Sequence, residues 1–411
     1  MSGANERPAL LPVDQALALL LAGARPLTDK ETVPLAQALG RVLATDVQSD
    51  LDVPPLDNSA VDGYAIRTTD LQGSGTTALP LSQRIPAGAV GDPLLPGTAA
   101  RIFTGAPVPP GADAVVMQED CRERDGHVEI YGPAKAGDNI RERGQDIRQG
   151  GLVLAAGQRL RPQDLGLLAS VGVASVPVIR RLRVAILSTG DELVEPGQPV
   201  GVGQIYNSNR YTLLGLLGTL GMEVIDLGLV PDTLEATEAA LLKAASQADC
   251  ILSSGGVSVG EEDHVKQALN KLGRLDLWKL AIKPGKPLAF GAVRDVPFIG
   301  LPGNPAAVFV TFCVLARPYL LKAQGANQWL PKIYRIPAGF DRHNRGPRQE
   351  YLRCRLQADG AGHWAIEPYP NQSSGVLCSA SWGDGFAILP PATEVRAGEL
   401  LEYLPYSSLE F

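Results

Sequence analysis

Residues 183–193 read RVAILSTGDEL: an apolar run that ends in a polar loop carrying a glycine and two acids. The same grammar continues downstream. A helical run, RYTLLGLLGTL (210–220), precedes the strand-like MEVIDLG (222–228). The helical LEATEAALLKAAS (234–246) then precedes the strand-like CILSS (250–254), and EDHVKQALNKL (262–272) is again helical. Further strands are expected around 278–282 and 298–301, followed by a helix from 305 to about 323. Short apolar strands alternating with amphipathic helices predict a parallel sheet covered by helices on both faces.

Working outward, VDQALALLLA (13–22) carries Leu and Ala at helical spacing behind Pro12, and residues 35–44 form a second helical run after Pro34. Between 47 and 147 the texture changes to short apolar segments cut by Pro54-Pro55, Pro109-Pro110-Gly111 and Asp125-Gly126. That pattern predicts a small all-β module inserted between helical pieces. Residues 331–411 return to short strands with Gly and Pro turns, which predicts a C-terminal β domain.

With 411 residues the chain is too long for one ordinary core, so several domains are expected. Lys and Arg total 37 against 44 Asp and Glu, a formal charge of −7, which argues against a nucleic-acid binder held by phosphate neutralisation while leaving room for a local basic pocket. The cysteines stand singly, without a CxxC pair, so a disulfide framework or a thiolate zinc site is not expected. No two histidines have metal-ligand spacing. A metal here is therefore a hard ion on carboxylates, with Mg²⁺ the default. The N-terminal stretch lacks a signal-peptide pattern, and the most apolar helix, 306–316, is about half the ~20 residues a span needs. A cytoplasmic protein without a membrane partner is expected.

Ligands of an open parallel sheet collect beyond the carboxyl ends of its strands. Loops rich in Gly and polar groups fall there: 188–192, 253–260 (including Ser254, Gly255, Gly256 and Ser258) and 302–305. Glycines let backbone N–H groups approach a ligand, and helix starts favour an anion, so a phosphate is the natural occupant. Ordinary strand-to-helix turns use the same residues, and only the coincidence of several such loops on one edge favours a site. No GxxxxGK[ST] run occurs. The acids Asp191, Glu192, Asp232, Glu261, Glu262 and Asp263 sit beside these loops, where a divalent cation would reconcile them with phosphate; solvated charge and helix capping are the alternatives. Lys279 and Lys283, four apart, would share one side of an extended segment, with Lys286 three further on, ready to grip an oxyanion; a solvated lysine face is the alternative, weakened by the Leu, Ala and Ile between them. Asp62-Gly63 fits either an ordinary hairpin turn or part of a polar site.

These words together resemble the MoeA family of molybdenumtransferases, which also includes the E domain of gephyrin. The matching runs are LDVPPLDNSAVDGYA (51–65), RIFTGAPVPPGADAVVMQED (101–120), NIRERGQDI (139–147), LSTGDEL (187–193), GQIYNSN (203–209), SSGGVSVGEEDHV (253–265), WKLAIKPGKPLAFG (278–291) and GLPGNPAA (300–307). They keep family order from about residue 10 to 320. The resemblance implies an α/β multidomain chain. Its parts would be a MogA-like three-layer α/β domain (9–28 and 182–330), a helical and extended connecting domain (29–48 and 148–181), an inserted β domain (49–147) and a C-terminal β barrel (331–411).

The resemblance also implies a homodimer whose cleft joins the α/β domain of one subunit to the inserted domain of the other. The implied reaction inserts molybdate into adenylylated molybdopterin, with Mg²⁺ assistance and release of AMP. Asp62, Glu192, Asp232 and Asp263 would be catalytic, the last three also holding the metal. Thr104, Asp146, Ser254, Gly255, Gly256, Ser258, Lys279, Lys283, Lys286, Pro302 and Pro305 would bind substrate. A MogA-type adenylyltransferase would be a transient partner. The alternatives are a MogA-type adenylyltransferase, which lacks the inserted module and usually reads TGGTG, and a gephyrin-like peptide-binding scaffold. The chain departs from the family pattern at Gln145, where many relatives carry Glu, and at Ser373 and Ser374, in a word that follows the family's QGSG only loosely.

Overall fold

The computed structural model describes residues 10–73, 75–256, 264–358 and 362–410. The chain divides into two compact units. The larger takes in the chain up to residue 44, residues 156–161 and everything from 176 onward; the smaller comprises 45–155 and 162–175. The expected connecting segments are thus shared between the two.

The larger unit is organised on a six-stranded sheet. Its strands are β1 (Arg183–Thr189), β2 (Glu223–Val230), β3 (Cys250–Ser254), β4 (Gly273–Lys279), β5 (Pro287–Val293) and β6 (Val296–Leu301), in the order β2-β1-β3-β6-β5-β4. The first four in that order are parallel, with Ala185 opposite Ile251 and Leu252 opposite Ile299. The other two are antiparallel, Phe290 facing Ile299 and Asp276 facing Phe290. The expected parallel sheet therefore holds for four strands and carries two antiparallel strands at one edge. Between 273 and 301 the chain has no helix to carry a crossover, and a tight turn at Arg294 (φ 54°) sends it straight back.

Side-chain alternation along these strands feeds two cores. Val184, Ile186, Leu252, Leu288 and Ile299 face one side, where the helices Val13–Gly23, Ser208–Thr219 and Pro305–Thr311 with its continuation pack. Ala185, Leu187, Ile251, Ala289 and Phe298 face the other, under Leu234–Gln247 and His264–Leu272. Each fully buried Leu or Ile contributes roughly 1.5–3 kcal/mol relative to exposure. Asn207 and Thr233 start two of the helices by accepting from the backbone N–H groups of Arg210 and Ala236.

The helix that begins at Pro305 reaches Ala323, as expected, and so extends beyond its most apolar stretch, 306–316. It continues through a π turn at Phe312–Ala316 into Arg317–Ala323. Pro318 has no N–H to offer the carbonyl four residues back, and the Arg317 N–H reaches Phe312 instead. Its 19 residues are long and apolar enough to cross a membrane, but 89% of its most apolar window is buried inside the protein, as a core helix requires. The second expected N-terminal helix, 35–44, is reduced to a 3₁₀ turn at Leu35–Gln37. Gly40 (φ 72°) breaks it, and Val42 and Leu43 form bridges to Arg159 and Val178 instead.

The C-terminal strands Tyr334–Pro337, Leu400–Pro405, Gly385–Leu389, Gln349–Ala358 and Trp364–Pro368 pair in that order. A bridge from Ala338 to Ile366 joins the two ends, so the sheet closes as a small barrel around Leu352, Cys354, Ala387 and Tyr403. In the smaller unit a six-stranded mixed sheet is centred on Ala99–Ile102 and Thr76–Ile85, in line with the expected all-β module. Asp62-Gly63 is not a hairpin turn. Gly63 opens a strand, and a Cβ there would lie 2.0 Å from the Val116 carbonyl oxygen.

Candidate active site

A cavity of about 810 Å³ opens beyond the carboxyl ends of β1, β3 and β6, built from the larger unit. Thr189, Gly190 and Glu192 follow β1, Gly255 and Gly256 follow β3, and Pro302, Gly303, Asn304 and Pro305 follow β6. Asp232 comes from the loop after β2. Each sits where a strand hands over to a helix, which is why the sequence changes there from apolar to small and polar.

The glycines have specific tasks. Gly255 and Gly256 are consecutive residues at φ 85° and 64°, and a Cβ on Gly256 would lie 2.4 Å from Val265 Cγ2. Gly190, at φ 143°, lies directly under the Glu192 carboxylate: a Cβ there would be 2.6 Å from Oε2. Ser254 is buried one residue before the pair, its hydroxyl 3.2 Å from that of Ser188, and it lines a smaller adjoining cleft with Glu192 and Pro305. The Gly303 carbonyl accepts a 2.7 Å hydrogen bond from Asn209 Nδ2, which fixes the loop before the Pro305 helix.

Cations belong to the lining as well. Lys283 donates to Glu350 Oε1 at 2.7 Å, and Arg342 donates to the other oxygen of the same carboxylate at 2.8 Å. Burial opposes ionisation of Glu350, but these cations outweigh it and hold the carboxyl below its usual range. Lys286 and Arg348 also line the cavity, and neither has a side-chain partner among the described residues.

The lysines do not share one strand face. Lys279 ends β4, and the chain then leaves the sheet, so that Ile282–Lys283 pairs with Gln349 and Glu350 of the barrel. Lys279 consequently lines a second cavity, of about 910 Å³, together with Asp14 and with Lys286 and Arg348, which border both. The expected Lys279–Lys283 pairing by alternation is corrected on that ground: a strand's period-two rule ends where the strand ends.

Several lining residues escaped sequence reasoning. His264, Arg348 and Gln372 belong to the cavity, along with Ser373 and Ser374, whose word matched the family only loosely. The Ser374 carbonyl accepts from Ala306 N at 3.0 Å, capping the first turn of the long helix. Buried Arg353 holds this loop, donating to the Ser373 carbonyl at 3.0 Å and to Ser379 Oγ at 2.9 Å. His264 has a buried Nδ1 without a hydrogen-bond partner.

Glu192 and Asp232 have no side-chain partner among the described residues, and no cluster of three metal-ligating side chains occurs among those residues. Two free carboxylates on one cavity suit a hard divalent cation that completes its shell with water or phosphate oxygens. The third expected acid, Asp263, and the loop residue Ser258 lie outside the described residues.

Asp62, Thr104 and Asp146 belong to the smaller unit. There Asp62 Oδ1 accepts from the backbone N–H of Thr104 at 2.8 Å and from its hydroxyl at 2.7 Å. The backbone N–H first, then the hydroxyl, lowers the Asp62 carboxyl below its ordinary value, so it is a half-buried, fixed anion. Asp146 is exposed, and its backbone N–H donates to the Val53 carbonyl.

An α/β sheet with this cavity, joined to a closed C-terminal barrel and a separate β-rich unit, defines a multidomain α/β protein whose site lies at the strand ends. Family models match it in order: the MoeA N-terminal region (domain I and II) over 11–172, a probable molybdopterin binding domain over 185–322, and the MoeA C-terminal region (domain IV) over 335–406. The molybdopterin molybdenumtransferase of Haemophilus influenzae is 41% identical over 404 residues, 97% of this chain and 100% of that one. The Nostoc protein of the same name is 40% identical over 88% of this chain and 85% of its own. A molybdopterin biosynthesis moeA protein from Pyrococcus horikoshii superposes with a TM-score of 0.84 at 31% identity, covering 97% of this chain and 100% of its own. The chain belongs to the MoeA family.

Proposed function

We propose that this chain is a molybdopterin molybdenumtransferase, which places molybdenum from molybdate into the dithiolene of adenylylated molybdopterin and releases AMP. The observation that carries the reading is one cavity in which Lys286 and Arg348 share the lining with the carboxylates Glu192 and Asp232, all four without a side-chain partner among the described residues. Such a set separates two tasks, gripping an oxyanion and holding a cation against a phosphate.

In this reading Lys286 and Arg348 bind molybdate oxygens, with Lys279 guarding the adjoining cavity. Lys283, oriented by Glu350, presents the rest of its donors to the substrate. Gly255 and Gly256 allow close backbone approach to the phosphates, and Ser254, Pro302 and Pro305 shape the pocket around them. Glu192, Asp232 and Asp263 would hold Mg²⁺, which would supply positive charge against the phosphoanhydride. Asp62, Thr104 and Asp146 complete the cleft from the partner subunit of a homodimer, and Ser258 contributes from the glycine-rich loop. The protein works in the cytoplasm, receiving its labile substrate from a MogA-type adenylyltransferase that docks transiently.

The test supplies adenylylated molybdopterin and Mg²⁺ and follows AMP release with and without molybdate. Release that accelerates with molybdate, accompanied by active cofactor, is the expected result. Equal release in both arms, or ATP-dependent adenylylation of molybdopterin without molybdate, rejects it.

A further inference from the structure

A third cavity, of about 430 Å³, shares no lining residue with the one above. It lies between residues 158–161, the end of the long core helix, the segment after it and the C-terminal turn. Arg159, Arg161, Arg317 and Lys332 all line it, and no Asp or Glu does so among the described residues.

Arg317 decides its chemistry. It directly follows the π turn and is only 3% exposed. Its Nε donates to the Leu409 carbonyl at 2.7 Å, Nη1 to that of Trp329 at 3.1 Å and Nη2 to that of Ser408 at 3.3 Å. Carbonyls satisfy donors but leave the charge uncancelled, and no carboxylate forms an ion pair with Arg317 among the described residues. A buried charge without a counter-ion is costly. Burial, and then the neighbouring Arg159, pushes the Arg317 guanidinium down to about 10, the direction that a missing anion produces.

We infer that this cavity binds a phosphate ester, its phosphates held by the arginine group and Lys332 and its apolar or aromatic body lying over Tyr334 and Leu330. The volume falls in the range of roughly 300–1,000 Å³ usual for small-molecule sites. Guanidinium forks match the paired oxygens of a phosphate. Tyr334 and Leu330 line the same cavity, yet are 49% and 59% exposed, so they offer an organic group a surface that bare phosphate would not use.

The test is calorimetric titration of the full chain with ADP, pyrophosphate and inorganic phosphate at physiological salt. It is run first in the Lys286→Ala background, so that binding in the large cavity is weakened separately. Saturable ADP binding is expected to survive Lys286→Ala. It should weaken on the order of tenfold in Lys332→Glu, whose exposed position spares the fold, and should be tighter than pyrophosphate binding. Unchanged affinity in Lys332→Glu overturns the inference, as does binding abolished by Lys286→Ala alone. Inorganic phosphate binding as tightly as ADP overturns the ester assignment. An unchanged thermal midpoint in Lys332→Glu separates loss of binding from loss of fold.

Discussion

Lys283 Nζ stands 2.7 Å from Glu350 Oε1, a contact between the loop that leaves the central sheet and a strand of the C-terminal barrel. One cation of the large cavity is thus already partnered, while Lys286, three residues on, has no partner among the described residues.

Glu350→Gln is expected to destabilise the protein by about 1–2 kcal/mol, less than a fully buried pair would lose, because Lys283 and Arg342 are 43% and 30% exposed. The Glu350 carboxyl is held below its ordinary 4.5, so its contribution is present above that pH and fades as pH falls through the folded value. Urea denaturation at neutral pH and below pH 4 should show the gap between wild type and variant closing in acid. A constant gap rejects the linkage.

Gly190→Ala should disable without unfolding. Its new methyl would meet the Glu192 carboxylate at 2.6 Å and push it from the cavity wall. Molybdate-dependent AMP release is expected to drop by up to about 10²-fold, the scale of a misplaced catalytic group. Calorimetry on the same sample should show a folded protein, and full activity would mean that the Glu192 position does not matter.

Lys279 and Lys286 should differ. Lys279→Ala is expected to raise the molybdate requirement more than it weakens binding of adenylylated molybdopterin, since Lys279 lines only the second cavity. Lys286→Ala, bordering both cavities, should impair both. Steady-state titrations of each substrate separate the cases, and identical profiles for the two variants count against distinct roles.

If the proposed dimer shares its cleft, Asp62→Ala and Asp263→Ala subunits should complement. Each parent is inactive in this view, and a mixed dimer regains one intact cleft. Co-expressed, differently tagged subunits purified through both tags provide the measurement, with no activity above the parents as the contrary result.

Much of the fold was legible because the local signals agreed. The continuous apolar run at Arg183–Thr189 and the Pro305 helix start each mean one thing physically. Residues 35–44 misled because Leu and Ala at helical spacing outweighed one Gly, whereas Gly40 and the bridges of Val42 and Leu43 decided the outcome.

From the linear chain alone came the glycines, acids and lysines that line the large cavity, since strand ends must release small polar residues to meet a ligand. Tertiary structure decided which of them meet. Lys279 and Lys283 parted because the intervening chain changes sheets, and Arg348 and Gln372 arrived from the barrel because Glu350 and Arg353 anchor that domain's loops. Sequence periodicity reports neighbours along an element, whereas convergence of loops from separate elements is fixed by packing and buried hydrogen bonds.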